Sequence, residues 1–130
     1  MPFPFEIVSP ERLLFSGDVE AVRLPGAEGE FQVMADHAPL LALLGPGIME
    51  VTGGGTSGDR LFIDGGFCDM NGRSCTVLAE AATRVQDLSG TAMDALISEA
   101  EEEVSQLESP SDRDDANRRL ARLRAVRSTL

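Results

Sequence analysis

Glycine and proline are concentrated in the first two thirds of this chain. Residues 1–84 hold 12 of the 13 glycines and six of the seven prolines. In the same stretch, apolar residues occur in short runs separated by turn signals, at a spacing of roughly eight to ten residues. Such spacing leaves no room for the crossover helices that join parallel strands. The pattern predicts an N-terminal antiparallel β-sandwich or barrel of about nine to ten strands.

The candidate strands are separated by turn signals, most of which contain glycine. They are 3–8, 12–15, 18–24, 29–34, 38–44, 47–52, 60–64, 67–70 and 74–79. Gly53-Gly54-Gly55 predicts a hairpin tip, and Gly65-Gly66 predicts a bulge or tight turn. Asn71-Gly72 predicts a two-residue turn that would place Cys68 opposite Cys75. Both free thiols and a disulfide remain open at this stage, and a cytosolic compartment favours free thiols.

After Asp87 the apolar period changes from two to about 3.6, which predicts two helices. The first spans 92–108, with Thr91 and Asp94 spaced as a capping box and Ser109-Pro110 as its stop. The second spans 112–128, capped by Ser111. Their apolar stripes are Met93, Leu96, Ile97, Ala100, Val104 and Leu107, and Ala116, Leu120, Leu123 and Val126. A short connection between them predicts an antiparallel hairpin over residues 85–130.

The charges are unevenly distributed. The formal net charge is −11, and every basic side chain is arginine, which argues against a nucleic-acid partner. Residues 1–84 and 85–109 each carry −7, whereas residues 110–130 carry +3. The arginines of the second helix therefore attract the glutamates of the first. Two hypotheses remain open: a solvated charged face on each helix, or a hairpin that exchanges its arginine partners for the carboxylates of another protein.

Few residues suggest chemistry. His37 is the only histidine, and no residues have metal-ligand or nucleophile spacing, so neither a catalytic nor a metal site is predicted. Residues 1–8 lack a cationic signal region, and no apolar run is long enough to span a bilayer. A cytosolic protein without a cofactor is expected. The segment 36–47 is unusually apolar, which indicates either core strands or a docking patch for a partner subunit.

Five motifs in register resemble the epsilon subunits of bacterial F-type ATP synthases. They are Ser9-Pro10-Glu11 with Leu14-Phe15-Ser16-Gly17, Leu24-Pro25-Gly26-Ala27-Glu28-Gly29-Glu30, His37-Ala38-Pro39-Leu40-Leu41 with Pro46-Gly47, Gly65-Gly66-Phe67, and Val77-Leu78-Ala79-Glu80. The change of period near residue 85 falls where that family joins its sandwich to its hairpin.

The resemblance implies a non-catalytic part of the rotor. In the family, the sandwich binds the gamma subunit and rests on the c-ring, coupling c-ring rotation driven by proton flow to ATP synthesis. Carried over by position, the c-ring contact comprises Glu28, Gly29, Glu30 and His37. The gamma contact comprises Ala38, Pro39, Leu40 and Leu41. The resemblance also implies a peripheral protein on the cytoplasmic face of the bacterial inner membrane, held there only by its complex. The absence of a transit peptide favours a bacterial over a mitochondrial source.

In the family, the hairpin inhibits ATP hydrolysis when it extends into the catalytic head. By position, Arg118, Arg119 and Arg122 are the expected contacts to the beta subunit, with alpha as a further partner. Members that bind ATP carry an acidic residue and an arginine near the start of the first helix. This chain instead reads Leu88-Ser89-Gly90-Thr91-Ala92-Met93, so no nucleotide site is expected.

Two competing hypotheses come from other functional classes. One is a free-standing β-sandwich or cupin-like small-molecule enzyme that uses His37. The other is an inhibitor or adaptor that acts through residues 86–130 alone. Bound transition metal would favour the enzyme, whereas stable binding to gamma by the sandwich alone would favour the rotor subunit.

Overall fold

A computed structural model describes residues 2–53 and 59–130, so the predicted tip at Gly54-Gly55 lies outside the described residues. The chain divides into two units, Met1–Val85 and Gln86–Leu130, one residue from the predicted boundary. The strands are β1 (Phe3–Val8), β2 (Leu13–Val19), β3 (Ala21–Gly26), β4 (Gly29–Met34), β5 (Leu40–Thr52), β6 (Asp59–Met70), β7 (Cys75–Ala79) and β8 (Ala82–Arg84).

All eight described strands of the first unit are joined by hydrogen bonds. Their order is β2-β1-β7-β6-β5-β3-β4, and β8 pairs with β6 beside this path. The neighbours are antiparallel, as predicted, except that β1 and β7 are parallel. Parallel pairing needs a long connection, and here the intervening strands β2 to β6 provide it. The predicted β-sandwich with a following pair of helices is therefore confirmed, with one parallel pair within it.

Two long strands replace four of the predicted short ones. β5 has 13 residues and β6 has 12, and the two pair from Leu40↔Met70 to Val51↔Asp59. The glycines between the predicted strands mark bends within one strand. Gly65 and Gly66 have φ of 86° and 135°, and a Cβ at Gly66 would overlap the carbonyl oxygen of Leu78. Strands that bend in this way carry a sheet from one layer of a sandwich to the other.

The two halves of β6 accordingly have different neighbours. Residues 66–70 pair with β7, whereas Leu61 to Ile63 pair with β8, a three-residue strand that the sequence pattern did not predict. Alternate side chains of the strands point inwards. Phe5, Ile7, Val22, Leu24 and Ile63 are among the side chains that form one buried core.

The turn between β6 and β7 is longer than predicted. Met70 pairs with Cys75, so the loop has four residues, and the Asn71 Oδ1 accepts hydrogen bonds from the backbone N–H groups of Arg73 and Ser74, both at 2.9 Å. The predicted two-residue turn is wrong because the Asn71 side chain stabilises the wider loop. Cys68 consequently lies opposite Val77, diagonal to Cys75.

The two cysteines are free thiols in the core, with their Sγ atoms 3.5 Å apart. The hydrogen bond from Cys75 lowers the pKa of Cys68. The same bond and burial raise the pKa of Cys75. A diagonal pair has Cα atoms about 7–8 Å apart, beyond the usual range for a disulfide, so the backbone would have to move before the sulfurs could be joined.

The second unit contains the two predicted helices, α1 (Gly90–Gln106) and α2 (Pro110–Ser128), after a short 3₁₀ turn over Val85–Asp87. Ser89 caps α1, since its Oγ accepts a hydrogen bond from the backbone N–H of Ala92 at 3.0 Å. The predicted capping box at Thr91 is wrong. Pro110 begins α2 instead of ending α1, because its missing N–H would be unpaired at a helix start anyway. Ser109, and not Ser111, is the N-cap of α2.

The predicted apolar stripes are confirmed. Every residue of both stripes is buried or half-buried, and Ala116, Leu120, Leu123 and Val126 are all buried. Ion pairs join the helices along the edge of this seam, Glu101 to Arg124 at 3.5 Å and Asp94 to Arg127 at 2.9 Å. The attraction predicted between the helices is therefore present in part.

Candidate docking surface

The β3–β4 connection carries the first group of predicted contacts. Gly26 pairs with Gly29, which leaves Ala27 and Glu28 as a two-residue turn. Gly29 has a φ of 145°, a conformation that favours glycine. Glu28, Gly29 and Glu30 are all exposed, and the Oε1 of Glu30 lies 3.2 Å from the Nε of Arg23 on β3. The turn therefore presents the Glu28 carboxylate outwards, while Glu30 is already paired.

His37 lies on a different connection. It belongs to the β4–β5 loop, follows Asp36 at a φ of 61°, and its Nδ1 is 2.7 Å from the carbonyl oxygen of Ala38. The six residues of β4, about 17 Å of extended chain, separate this loop from the Ala27-Glu28 turn. The predicted c-ring contacts thus divide between loops at opposite ends of β4.

The predicted gamma contacts divide by strand alternation. Ala38 and Pro39 are exposed in the loop, and Leu41 is 71% exposed at the start of β5. Leu40 instead points inwards and packs against the core. Of the two leucines, only Leu41 is available to a partner, because neighbouring residues on a strand face opposite sides of the sheet.

Strand register assembles an apolar row that the sequence analysis missed. Leu43 pairs with Phe67, Phe67 with Leu78, Leu78 with Val8, and Val8 with Leu13. Directly paired residues lie on the same face of a sheet. These five side chains, named here the outer apolar row, cross five adjacent strands and span about 19 Å.

The outer apolar row is open to solvent. The exposed fractions are 60% for Leu43, 45% for Phe67, 49% for Leu78 and 56% for Leu13, and Val8 is half-buried. Leu41 extends the row by one position along β5. Runs such as Val77-Leu78-Ala79, apolar on both faces of a strand, were the signal in the sequence, since a solvated face is ordinarily polar. A contiguous exposed apolar surface of this kind is typical of a protein-binding site.

A polar row lies beside the apolar one on the same face. Leu41 pairs with Asp69, Asp69 with Thr76, and Thr76 with Glu6. The Thr76 hydroxyl donates to the Glu6 carboxylate at 3.3 Å. The face therefore has an apolar centre and an acidic margin, an arrangement similar to the core and rim of protein interfaces.

The predicted regulatory arginines lie on α2. Arg118 is exposed and pairs with Asp115 of its own helix at 3.3 Å. Arg119 and Arg122 are half-buried, and Arg119 lines a shallow depression with Glu103, Leu107, Asp112, Asp115 and Ala116. Arg118 and Arg122 are four residues apart and so share one face of the helix.

The described residues contain no metal-ligand cluster. Among residues 2–53 and 59–130, no three histidine, cysteine or acidic side chains are grouped so as to hold a metal ion. His37 has its ring directed to a backbone carbonyl. In the same ranges, neither helix combines the length and apolarity needed to cross a membrane.

The chain is similar to known proteins over nearly its whole length. Residues 2–85 match the family model of the ATP synthase delta/epsilon chain β-sandwich domain. The chain is 42% identical over 126 residues to the ATP synthase epsilon chain of Parvibaculum lavamentivorans, covering 97% of this chain and 96% of the relative. It is 48% identical over 101 residues to that of Gluconacetobacter diazotrophicus, covering 78% and 72%.

A solved structure shares the fold. In the cryo-EM structure of the Euglena gracilis mitochondrial ATP synthase containing OSCP, F1 and the c-ring, one chain superposes with a TM-score of 0.76 at 21% identity, covering 98% of this chain and 81% of that one. These findings do not support the alternative of a free-standing enzyme using His37. The chain belongs to the family of ATP synthase epsilon chains, which are structural and not catalytic subunits of the rotary complex.

Proposed function

We propose that this chain is a component of the rotor's central stalk, which couples rotation of the c-ring to ATP synthesis through the gamma subunit. The outer apolar row carries this proposal, because a rotor part must be gripped by its neighbour over a broad and rigid surface. A close-packed sandwich transmits force with little compression. The chain is held peripherally on the cytoplasmic face of the membrane by its protein partners.

Gamma docks on the outer apolar row and Leu41. Five neighbouring strands present the row, so its side chains keep fixed spacings, and little conformational entropy is lost on binding. Asp69 and Glu6 border the row and favour basic groups on the gamma surface that covers them. Ala38 and Pro39 precede Leu41 in the chain and lie at the edge of the same contact.

Substitution of exposed row residues tests this docking. We expect Leu43→Ser or Leu78→Ser to weaken the affinity for gamma by about tenfold or more, since each removes apolar area from the buried centre. Met34→Ser is the matched control, because Met34 is 55% exposed but lies on β4, outside the row. Titration calorimetry with the purified gamma subunit measures the affinities. Equal affinities for all three variants and the unmodified chain would contradict the proposal.

The Ala27-Glu28 turn contacts the c-ring. Glu28 is exposed at the tip, and its carboxylate can pair with a cation on a loop of the ring, whereas Glu30 is already paired with Arg23. His37 lies on the β4–β5 loop, at the opposite end of β4, and is not part of this contact. Glu28→Gln should weaken retention of the chain by c-ring reconstituted with gamma, particularly at low salt. Glu11→Gln, at another exposed turn, is the control, and equal retention of both variants would contradict the assignment.

The arginines of α2 act on the catalytic head. Arg118, Arg119 and Arg122 can meet carboxylates of the beta subunit when the two helices separate, which gives the hairpin a regulatory role. Replacing all three by alanine should relieve inhibition of ATP hydrolysis in the assembled complex. Arg113→Ala, nearer the start of α2, controls for loss of positive charge. Unchanged inhibition in the triple variant would remove the regulatory role and leave the rotor role intact.

A further inference from the structure

One arginine closes the end of the helical unit that lies opposite the helix–helix connection. Arg127 is in the last turn of α2, and its Nε donates to the Oδ1 of Asp94 on α1 at 2.9 Å, across 33 residues of sequence. The two side chains are 40% and 61% exposed. Residues 107–109 join the helices at the other end, so this pair bridges the end where α1 begins and α2 finishes.

The Arg127 guanidinium also lies against the backbone of Gly90, the first residue of α1. A Cβ at position 90 would lie 2.9 Å from Nη2, 3.0 Å from Cζ and 3.3 Å from Nη1 of Arg127. Separations this short require one group to move. Gly90 has no positive φ, in contrast to Gly65 and Gly66 of the sheet. Glycine therefore leaves the space that the guanidinium occupies. An alanine methyl group would displace this flexible side chain, although alanine is the better helix former.

We propose that Gly90, Asp94 and Arg127 form a latch that holds this end of the two helices closed and sets how readily α2 separates from α1. The glycine provides the space, the aspartate fixes the guanidinium, and the arginine lies at the end of α2 where the helix dipole favours a cation. Exposed ion pairs are weak. A weak latch suits two helices that exchange between closed and open arrangements.

A double-mutant cycle in the full chain tests the latch through amide hydrogen exchange in residues 122–128. We expect Arg127→Ala to raise the exchange rates about three- to tenfold, and Gly90→Ala to raise them similarly, because the new methyl group displaces the guanidinium. In the Arg127→Ala background, Gly90→Ala should have no effect or should slow exchange, since only the helix preference of alanine remains. The latch therefore predicts that Gly90→Ala raises the exchange rates when Arg127 is present and does not raise them when Arg127 is absent.

Matched variants make the test specific. Asp94→Asn keeps the shape of the side chain and removes its charge, so it should also raise exchange in 122–128. Arg113→Ala removes an arginine near the other end of α2 and should leave exchange in 122–128 unchanged. The latch is overturned if Gly90→Ala slows exchange in both backgrounds, or if Arg127→Ala and Asp94→Asn change nothing.

The regulatory role of the latch rests on the proposed function of the hairpin. A separate measurement distinguishes failure of that regulatory role from failure of the latch itself. In the assembled complex, Gly90→Ala should deepen inhibition of ATP hydrolysis, because the open hairpin is the inhibitory form. If exchange in 122–128 rises in the isolated chain while inhibition does not change, the latch stands and the regulatory role of the hairpin fails.

Discussion

The two units of the chain are stabilised by different kinds of contact. The β-unit buries large side chains of seven of its strands in one core, among them Phe5, Ile7 and Met49. In the described part of the helical unit, the buried side chains are six, and two of them are alanines: Met93, Ala100, Ala116, Leu120, Leu123 and Val126. The rest of the helix–helix contact is half-buried side chains and exposed ion pairs. A dense core gives one rigid arrangement, whereas a thin seam permits two of similar free energy.

The largest expected effect is on the β core. Phe5 is 2% exposed, and its ring lies 5.9 Å from that of Phe15. Phe5→Ala should lower the free energy of unfolding of the β-unit by about 3–5 kcal/mol, because it removes apolar contacts and leaves a cavity. Amide hydrogen exchange, measured as a function of urea concentration, reports the effect in each unit separately. If protection of the α1 and α2 amides from exchange fell as far as protection of the sheet amides, the two units would not differ as described.

The bend in β6 comes next. Gly66 combines a φ of 135° with close approach to the backbone of Leu78. Gly66→Ala should cost about 2–3 kcal/mol in the free energy of unfolding, measured by urea denaturation. Gly72→Ala is the matched control, since Gly72 also has a positive φ but its nearest atom is 3.9 Å away, on the Pro39 side chain. Equal costs for both variants would mean that the dihedral angle alone matters at Gly66.

A smaller effect is expected in the helical unit. Ser89→Ala removes the N-cap of α1 and should lower local helix stability by about 1 kcal/mol, seen as faster exchange in the first turns of α1. Ser98→Ala, at an exposed interior position of α1, should have the opposite sign because alanine favours a helix. A loss of protection in the β-unit of Ser89→Ala would show that the two units unfold together.

The smallest expected effect is with nucleotide. Ser89, Gly90 and Ala92 at the start of α1 offer no charged side chain to a phosphate or ribose, and Arg127 is already engaged by Asp94. Calorimetry of the full chain with millimolar ATP should give no saturable heat. A clear binding isotherm would show that the chain binds nucleotide without an acidic residue and an arginine at the start of α1.

Much of the fold could be predicted because local patterns carried it. The change of apolar period near residue 85 predicted both units, and the stripe of α2 was correct at every position. The errors lie where a residue has two structural meanings. Gly65-Gly66, predicted as a bulge or tight turn between two strands, bends one continuous strand, and Pro110 begins a helix instead of ending one. Only the neighbouring strand or helix decides between these meanings.

The candidate site was less predictable. Leu41 was expected as a gamma contact from the family resemblance, and Leu43 was named only as part of the apolar segment 36–47. Phe67, Leu78, Val8 and Leu13 were not expected as contacts. These residues are distant in sequence, as Val8 and Leu78 show. No local repeat of apolar residues therefore indicates that they share a face. Their shared face became visible only from the strand pairing.

The amino-acid sequence by itself determined the fold class, the two-unit organisation, the membership of a family and the residues that each helix buries. These properties follow from short-range periodicity and from motifs within a few residues. The tertiary structure alone decided the register of the strands, and with it the outer apolar row, the diagonal placement of Cys68 and Cys75, and the approach of Arg127 to Gly90. The physical reason is that register depends on the summed packing and hydrogen bonding of distant segments, and a shift of one residue would turn every side chain of a strand to the other face.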